Sequence, residues 1–375
     1  MKPEKQIDST INPRAPVNPS ESSGYTRKVG IIVLSRAIGI IAQMLALMIL
    51  TRLLSKESFS LISFLLLAYS TVLTLGQLGL ADSIFYFFQK LTPESRRALA
   101  LQTGRTLFTI SLFCAFLLLL IQLSSSLWGR ELNGLMWPFM LLVLLELPTV
   151  PMPNILIAID QTKDAGILNI FIGITQLLAL VLPVILGYPL AFIVYSLLGY
   201  GALRFLFSGY LFLKYFKNKG IEVPKGTLLE QFKYAIPLSI AQIVWGLNRQ
   251  IDKYVVEFFF PPVVFAEYIV GAWEIPLIGI IASSFASVMM PQLVSFYLKG
   301  QKENLLALWR NSIQKVSIIV LPLVVLFLIV AEEFIVLLAS EKYIAAALPF
   351  RIYTVIIIQR VAVYSSLMKA IDETR

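Results

Sequence analysis

Ten long apolar runs constrain the fold of this chain more than any other feature of its sequence. A bilayer core of about 30 Å is crossed by about 20 helical residues, and backbone polar groups inside lipid are satisfied within helices. We therefore predict an all-α, polytopic membrane protein with ten spans. Two runs exceed one crossing and should tilt or project from the bilayer. The runs cover residues 29–53, 59–88, 106–128, 135–159, 166–187, 189–213, 233–259, 264–298, 313–338 and 348–369.

The composition excludes a soluble enzyme, a disordered scaffold and a nucleic-acid-binding module. Of the 375 residues, 58% are hydrophobic and 14% are charged, against roughly a quarter charged in soluble domains. The chain has no histidine and a single cysteine, Cys114. It can form no intrachain disulfide, no Cys/His metal site and no histidine-based catalytic triad. We expect no cofactor, no metal and no nucleic-acid partner.

The basic residues of the loops predict the orientation in the membrane. Twenty Lys and Arg fall in one alternating set of loops and tails, whereas the other set has four, Arg52, Lys56, Arg130 and Lys342. By the positive-inside rule, the N-terminus lies in the cytoplasm of a multi-pass protein of the cytoplasmic (inner) cell membrane. Residues 1–28 are polar and contain four prolines, which indicates a disordered cytoplasmic tail.

The chain also resembles itself at a shift of just over 200 residues. Phe59 falls on Phe265 at a shift of 206, and residues 137–139 fall on residues 348–350 at a shift of 211. At a shift of 212, AIDQTK of residues 158–163 falls on AIDETR of residues 370–375. The offset spans an even number of helices, which predicts two parallel repeats with a transport site between them.

This repeat sets the expected domain boundaries. An N-terminal six-helix bundle covers residues 29–213, a cytoplasmic linker residues 214–232, and a C-terminal bundle residues 233–375. The second bundle then has only its first four helices, so the second repeat is incomplete. We expect the chain to be a fragment or a short form of a protein with at least twelve helices.

Ionisable side chains inside the spans are the candidate site residues, because lipid tolerates them only beside a cavity or a partner. Arg249 and Arg360 lie well inside, whereas Arg36 and Arg204 lie nearer span ends, from which they can snorkel. Gln242, Arg249 and Lys253 follow one line of the seventh span, flanked by Asn248 and Asp252. Alternatively, Arg249 and Asp252 neutralise each other. Under the 206-residue shift, Gln43 of the first span falls on Arg249.

Two carboxylates are central in their spans. Glu146 precedes Pro148, Pro151 and Pro153, which predict a bend, and Glu274 precedes Pro276. Each carboxylate can contribute to the site or simply pair with a buried arginine.

Three segments carry a family resemblance. They are LTRLLSKESFSLISFLLLAYSTVLTLGQLGLADSIFYFF, QFKYAIPLSIAQIVWGLNRQIDKYVVEFFFPPVVFAEY and IVLLASEKYIAAALPFRI. Together they resemble the polysaccharide transporter (Wzx-type) branch of the multidrug/oligosaccharidyl-lipid/polysaccharide flippase superfamily. The resemblance implies a transporter without a catalytic centre. Its expected cargo is a polyprenyl-pyrophosphate-linked oligosaccharide for O-antigen, capsule or exopolysaccharide synthesis, moved across the membrane by alternating access.

The candidate residues fit the chemistry of such a cargo. The planar fork of arginine suits phosphate oxygens, and amides can bind sugar hydroxyls. We expect Arg249, Arg360 and Arg36 to hold the pyrophosphate in a monomer whose further partners are the bilayer and the polysaccharide polymerase machinery. The wider predicted binding set comprises Arg249, Arg360, Arg36, Gln43, Gln242, Asn248, Glu274, Glu146 and Asp252.

Two other functions stay open. A proton- or cation-coupled drug or metabolite antiporter of the same superfamily would commonly carry an acidic residue in its first span, and residues 29–53 contain none. A membrane glycan ligase or polymerase would need large outer loops and an outward-facing catalytic cluster, and the loops on that side are short.

Overall fold

The computed structural model describes residues 19–123, 135–217, 226–273, 275, 289–290, 292–297 and 299–362, and within them it contains helices but no β-strand. The α-helices are α1 (Pro19–Leu53), α2 (Lys56–Gly76), α3 (Leu80–Lys90), α4 (Pro93–Leu123), α5 (Met136–Glu146), α6 (Met152–Ala158), α7 (Thr162–Ile185), α8 (Ala191–Phe216), α9 (Thr227–Asn248), α10 (Ile251–Phe259), α11 (Pro262–Gly271), α12 (Lys302–Ile329), α13 (Ala331–Leu338) and α14 (Ala347–Ile356). Short 3₁₀ segments cover Leu147–Thr149, Glu341–Ala346 and Ile357–Ala362.

Seven described helical stretches are long and apolar enough to cross a membrane. Large apolar side chains remain exposed on the outside of the bundle, including Phe259 at 79% and Ile318 at 73%. Such a surface suits lipid rather than water. The predicted all-α, multi-pass membrane fold is therefore confirmed. The count of ten spans is not confirmed. The predicted span 233–259 is split into α9 and α10 and is not among the seven, and the spans predicted at 264–298 and 348–369 lie partly outside the described residues. The seven stretches are Gly30–Leu53, Lys56–Lys90, Ser95–Leu120, Met136–Ala158, Thr162–Ile185, Ala191–Phe216 and Lys302–Ile329.

The helix boundaries repeat at the shifts found in the sequence. Helix α11 begins 206 residues after α2, and α10 ends 206 residues after α1. Helix α14 begins 211 residues after α5. The first four spans and the helices from α9 onward thus have the same order and direction, as two parallel repeats require. We refer to the first repeat (α1–α8) and the second repeat (α9–α14).

Several of the predicted spans are broken, including the ninth at Val330 between α12 and α13. The bend expected at Pro148 and Pro151 is confirmed, since α5 ends at Glu146 and α6 begins at Met152 after a 3₁₀ turn. The second span breaks between α2 and α3, where Leu78 and Gly79 both have positive φ. The seventh span breaks at Arg249 and Gln250, between α9 and α10.

The start of α1 differs from the prediction of a disordered tail at 1–28. The helix begins at Pro19, because proline has a helical φ and its missing N–H is not needed in the first turn. Residues 1–18 lie outside the described part of the chain.

The first repeat is held together by a close approach of two helix backbones. A Cβ on Gly173 of α7 would lie 3.0 Å from the Cα of Gly39 on α1, and one on Gly166 would lie 2.8 Å from the side chain of Ile31. Glycines at such a contact let membrane helices gain dispersion energy along their length. We call the end of the bundle where α1 begins the lower end, and the end where α1 finishes the upper end.

Candidate functional site

A cavity of about 790 Å³ lies between the two repeats. Its walls come from α1, α2 and α7 on one side and from α9, α10 and residues 269–273 on the other. The polar lining consists of amides, hydroxyls and two cations, with no carboxylate among the described residues. The polar and aromatic members are Gln43, Phe59, Ser63, Tyr69, Ser70, Thr74, Gln176, Trp245, Arg249, Gln250, Lys253 and Trp273.

Arg249 lines the cavity at the break in the seventh span, between the end of α9 and the start of α10. Its backbone N–H ends α9 by donating to carbonyls one turn back, and Gln250 then leaves the helical conformation. The Arg249 guanidinium lies over the Trp245 ring, 4.7 Å from the ring centre. This cation–π contact orients the charge while leaving part of the guanidinium edge able to donate hydrogen bonds.

Lys253 supplies the second cation of the cavity. Its Nζ donates to the carbonyl of Arg249 over 2.7 Å and lies 3.3 Å from the hydroxyl of Tyr353. Asp252 is its neighbour at 3.8 Å, but the hydroxyls of Tyr268 and Tyr353 both donate to that carboxylate. Asp252 therefore belongs to a polar cluster inside the second repeat, and it is not part of the described cavity lining.

The break in the seventh span also joins the two repeats. The side-chain amide of Gln250 lies 3.3 Å from the Ser70 hydroxyl, and Thr71 donates to the Gln250 oxygen. Tyr254 donates to Thr71 over 2.8 Å. Because α2 carries Ser70 and Thr71, these bonds fix α2 against the α9–α10 break on one side of the cavity.

The two repeats contact each other at the lower end of the cavity, between α3 and α9, and we call these contacts the lower closure. Gln242 donates to Asp82 over 2.7 Å, and Asn154 of α6 donates to the same carboxylate over 3.1 Å. A fully buried amide, Gln231, donates to Ser83 over 2.9 Å. The repeats lie close together at Gly79, where a Cβ would lie 2.8 Å from the carbonyl oxygen of Ala235.

Charged groups join the two repeats at the upper end, and we call these contacts the upper closure. Lys56 forms an ion pair of 2.5 Å with Glu267, which joins α2 to α11. Arg52 donates to the carbonyl of Leu337 over 2.6 Å, and Lys342 donates to the carbonyl of Leu54 over 2.6 Å. Arg52 and Lys342 thus each lie at the carbonyl end of a helix from the other repeat, where the helix dipole favours positive charge.

Burial, and to a smaller degree the neighbouring charge of Lys56, lowers the pKa of Lys342. The side chain of Lys342 remains exposed, so the lowered pKa reflects its partial burial at this contact between two helices.

Glu146 lies apart from the cavity, inside the first repeat. Its side chain is 1% exposed and forms an ion pair with Arg204 of α8. Tyr69 and Tyr200 donate to its two oxygens. This geometry fits the alternative in which Glu146 pairs with a buried arginine. Arg204 forms that ion pair with Glu146 and does not extend to the membrane surface. Tyr69 also lines the cavity, so the cluster touches the cavity through one ring.

Two of the nine predicted binding residues, Gln43 and Arg249, line the cavity. Gln242, Glu146 and Asp252 take other contacts, and Arg36 and Asn248 are exposed outside the described lining. Gln242 lies two turns before Arg249 on the continuous helix α9, and its amide is bound by Asp82 at the lower end instead of lining the cavity. Glu274 and the side chain of Arg360 lie outside the described residues. The cavity residues Gln250, Ser70 and Trp245 were missed, since none of them is ionisable.

Known structures share this architecture. An inward-facing conformation of a multidrug resistance MATE family transporter of the MOP superfamily has a TM-score of 0.69 at 13% identity, covering 90% of this chain and 81% of that one. A MOP superfamily transporter from Pyrococcus furiosus Vc1 (DSM3638), described as having a binding pocket of reverse polarity that suggests a different function, has a TM-score of 0.58 at 17% identity, covering 92% and 82%.

At these identities the likeness establishes the fold alone. A comparison with curated protein sequences finds no match. Residues 25–291, more than two thirds of the chain, match the family described as polysaccharide biosynthesis protein. The chain therefore belongs to the polysaccharide biosynthesis protein family and has the fold of MOP superfamily transporters.

Proposed function

We propose that the protein moves a polyprenyl-pyrophosphate-linked oligosaccharide from the cytoplasmic to the outer leaflet for cell-surface polysaccharide synthesis. The observation that carries the proposal is the central cavity, which has Arg249 and Lys253 in its wall and no carboxylate among its described residues. A cavity with this charge attracts an anionic headgroup. Family membership supports a cargo that belongs to polysaccharide synthesis.

Different residues of the cavity lining suit the phosphates and the sugars of this cargo. The Arg249 guanidinium can donate two hydrogen bonds to phosphate oxygens, and the Lys253 ammonium adds a compact charge one helical turn away. Gln43 and Gln176, from α1 and α7, line the same cavity and can bind sugar hydroxyls. The indole rings of Trp245 and Trp273 offer flat surfaces on which sugar rings can stack.

The cavity volume limits what crosses inside the protein. About 790 Å³ is within the range of small-molecule sites, roughly 300–1,000 Å³. It accommodates the pyrophosphate and the first sugars but not a long polyprenyl tail. The tail therefore stays in the bilayer, and each turnover carries only the polar headgroup past the two closures.

In this proposal, alternating access results when the contacts at the two ends of the cavity open in turn. The lower contacts at Gln242 and Asp82 open while the upper contacts at Lys56 and Glu267 stay closed, and the reverse occurs afterwards. In this proposal the lower end is cytoplasmic, in the orientation that the basic loops predict. The protein acts as a monomer in the cytoplasmic membrane, in reach of the polymerase machinery that uses its product.

The alternative of a cationic-drug antiporter fits this cavity less well. A positively charged drug would meet Arg249 and Lys253 with no described carboxylate to pair with, which costs binding energy in a low-dielectric site. The described part of the chain also has no catalytic cluster in the cavity that would favour a glycan ligase or polymerase.

The test replaces Arg249 with alanine or lysine in cells whose own copy of the gene is deleted. We expect Arg249→Ala to abolish export of the glycan at equal protein level and Arg249→Lys to retain part of it. Arg310→Ala on α12, an exposed arginine outside the cavity, is the matched control and should export normally. Normal export by Arg249→Ala would remove the cavity from the transport path.

A further inference from the structure

A second cavity lies on the opposite face of the first repeat. It encloses about 500 Å³ between α4 and α8, and its floor is the break between α5 and α6. None of its lining residues belongs to the central cavity. We call it the α4–α8 groove; its lining comprises Ala100, Leu101, Gly104, Arg105, Phe108, Thr109, Pro148, Thr149, Pro151, Met152, Ile155, Phe205, Ser208, Gly209 and Phe212.

The walls of the groove are apolar and open to the surroundings of the bundle. Phe108 on α4 is 43% exposed and Phe205 on α8 is 41% exposed, so the two rings form a rim at the membrane-facing surface. Two glycines leave the space between the helices empty. A Cβ on Gly104 or on Gly209 would meet no atom within 4 Å.

Two polar groups stand in this apolar groove without partners. The guanidinium of Arg105 makes no hydrogen bond or ion pair among the described residues, although its carbonyl accepts from Thr109. The Ser208 side chain is 5% exposed, and its buried Oγ has no hydrogen-bond partner. A buried hydroxyl without a partner costs free energy that a bound ligand can recover.

We propose that the α4–α8 groove binds an anionic phospholipid of the surrounding bilayer. The acyl chains lie against Phe108, Phe205 and Phe212, and the phosphate pairs with Arg105. The Ser208 hydroxyl donates to an oxygen of the bound lipid. A bilayer lipid is the occupant that combines a long apolar body with one negative charge and reaches the groove directly from the membrane.

The position of the groove suggests a stabilising role. Its floor residues Pro148 and Pro151 belong to the broken fourth span, directly after Glu146. Helix breaks expose backbone groups and pack less well than straight helices. A lipid that fills the groove adds contacts to α4, α8 and this break at once, and it therefore holds the first repeat together without taking part in transport.

The experiment is native mass spectrometry of the full chain. The protein is purified in detergent and then incubated with phosphatidylglycerol or phosphatidylcholine. The wild-type protein should retain phosphatidylglycerol more strongly. Arg105→Gln should lower its retention about fivefold, the effect of one basic residue beside an anionic lipid surface. Gly104→Leu and Gly209→Leu should lower retention of both lipids, since their side chains fill the groove.

The matched control is Gly199→Leu on α8. Gly199 also has no atom within 4 Å of an added Cβ, but it does not line the groove, so retention should match the wild type. Equal retention of the two lipids, or wild-type retention by both Gly104→Leu and Gly209→Leu, would overturn the proposal. Displacement of phosphatidylglycerol by a lower concentration of polyprenyl phosphate would also overturn it, by assigning the groove to the cargo's tail. Because no transport is measured, each outcome is independent of the function of the central cavity.

Discussion

Gln242 of α9 donates a 2.7 Å hydrogen bond to the carboxylate of Asp82 on α3, across the boundary between the two repeats. The sequence predicts a different role for Gln242, as a ligand of the cargo. Their pairing makes them part of the closure at the lower end instead. A bond between a neutral amide and a carboxylate can break and re-form at modest cost, as a closure that opens in every cycle requires.

The first prediction is that Gln242→Leu opens the lower end. A hydrogen bond to a charged group contributes about 1.5–3 kcal/mol, so the open population should rise at least about tenfold. The measurement is the rate of maleimide labelling of Ser239→Cys in a Cys114→Ala background. Ser239 is 2% exposed and lies beside Gly79 in the α3–α9 contact, so its label reports opening directly.

The control for this labelling is Ser312→Cys in the same background. Ser312 is also buried, but it lies on α12 and donates to the carbonyl of Leu308 in its own helix. Its rate should not change with Gln242→Leu. A parallel rise at both positions would show general loosening, and an unchanged rate at Ser239→Cys would show that the bond does not hold the closure.

A second prediction concerns the ion pair between Lys56 and Glu267 at the upper end. Lys56→Glu or Glu267→Lys places two like charges at a 2.5 Å contact, and each should strongly reduce glycan export. The double variant restores opposite charges and should recover most of the export. Export is measured at equal protein level in cells whose own copy of the gene is deleted. Failure of the double variant to exceed both single variants would contradict a role for the pair itself.

Much of the fold follows from the sequence because lipid leaves few choices. Long apolar runs must become helices, and a repeat in sequence must repeat in structure unless the chain has diverged beyond it. The shift that aligns Phe59 with Phe265 also aligns the starts of α2 and α11. The proline-rich stretch after Glu146 likewise predicted the break between α5 and α6.

The site was harder to predict because depth in the membrane does not say which way a side chain points. Glu146 and Arg249 are both central in apolar spans, yet one forms a sealed ion pair and the other faces a cavity. The difference arises from Arg204 and Tyr200, which come from α8 and are distant in sequence. Neither Arg249 nor Gln250 is a proline or a glycine. The apolar pattern therefore predicted one straight helix through these two residues.

A third prediction follows from the buried pair of Glu146 and Arg204. Glu146→Gln removes the charge that offsets a guanidinium only 11% exposed, and an orphaned buried charge costs about 3–5 kcal/mol. The unfolding temperature in detergent should fall markedly. Adding Arg204→Met should restore most of it, because the double variant leaves no unpaired charge.

The matched control is the exposed pair of Glu332 and Arg351, whose side chains are 52% and 38% exposed. Glu332→Gln should shift the unfolding temperature little, since exposed ion pairs contribute about 0–1 kcal/mol. Equal effects of Glu146→Gln and Glu332→Gln would mean that the Glu146 cluster is not sealed from solvent.

The final prediction tests the packing of the second repeat at Gly271, the last residue of α11. A Cβ there would overlap the carbonyl oxygen of Ala346 and lie 2.8 Å from the Cβ of Pro349 and 3.0 Å from the backbone nitrogen of Phe350. Backbone atoms cannot move aside as a flexible side chain can, so Gly271→Ala should destabilise the protein by about 1–3 kcal/mol through overpacking. Gly199→Ala, in open space within α8, is the control and should be neutral or slightly stabilising, since alanine favours a helix over glycine. Thermal unfolding in detergent compares the two, and an equal response would show that α11 does not pack against the start of α14 as closely as the geometry indicates.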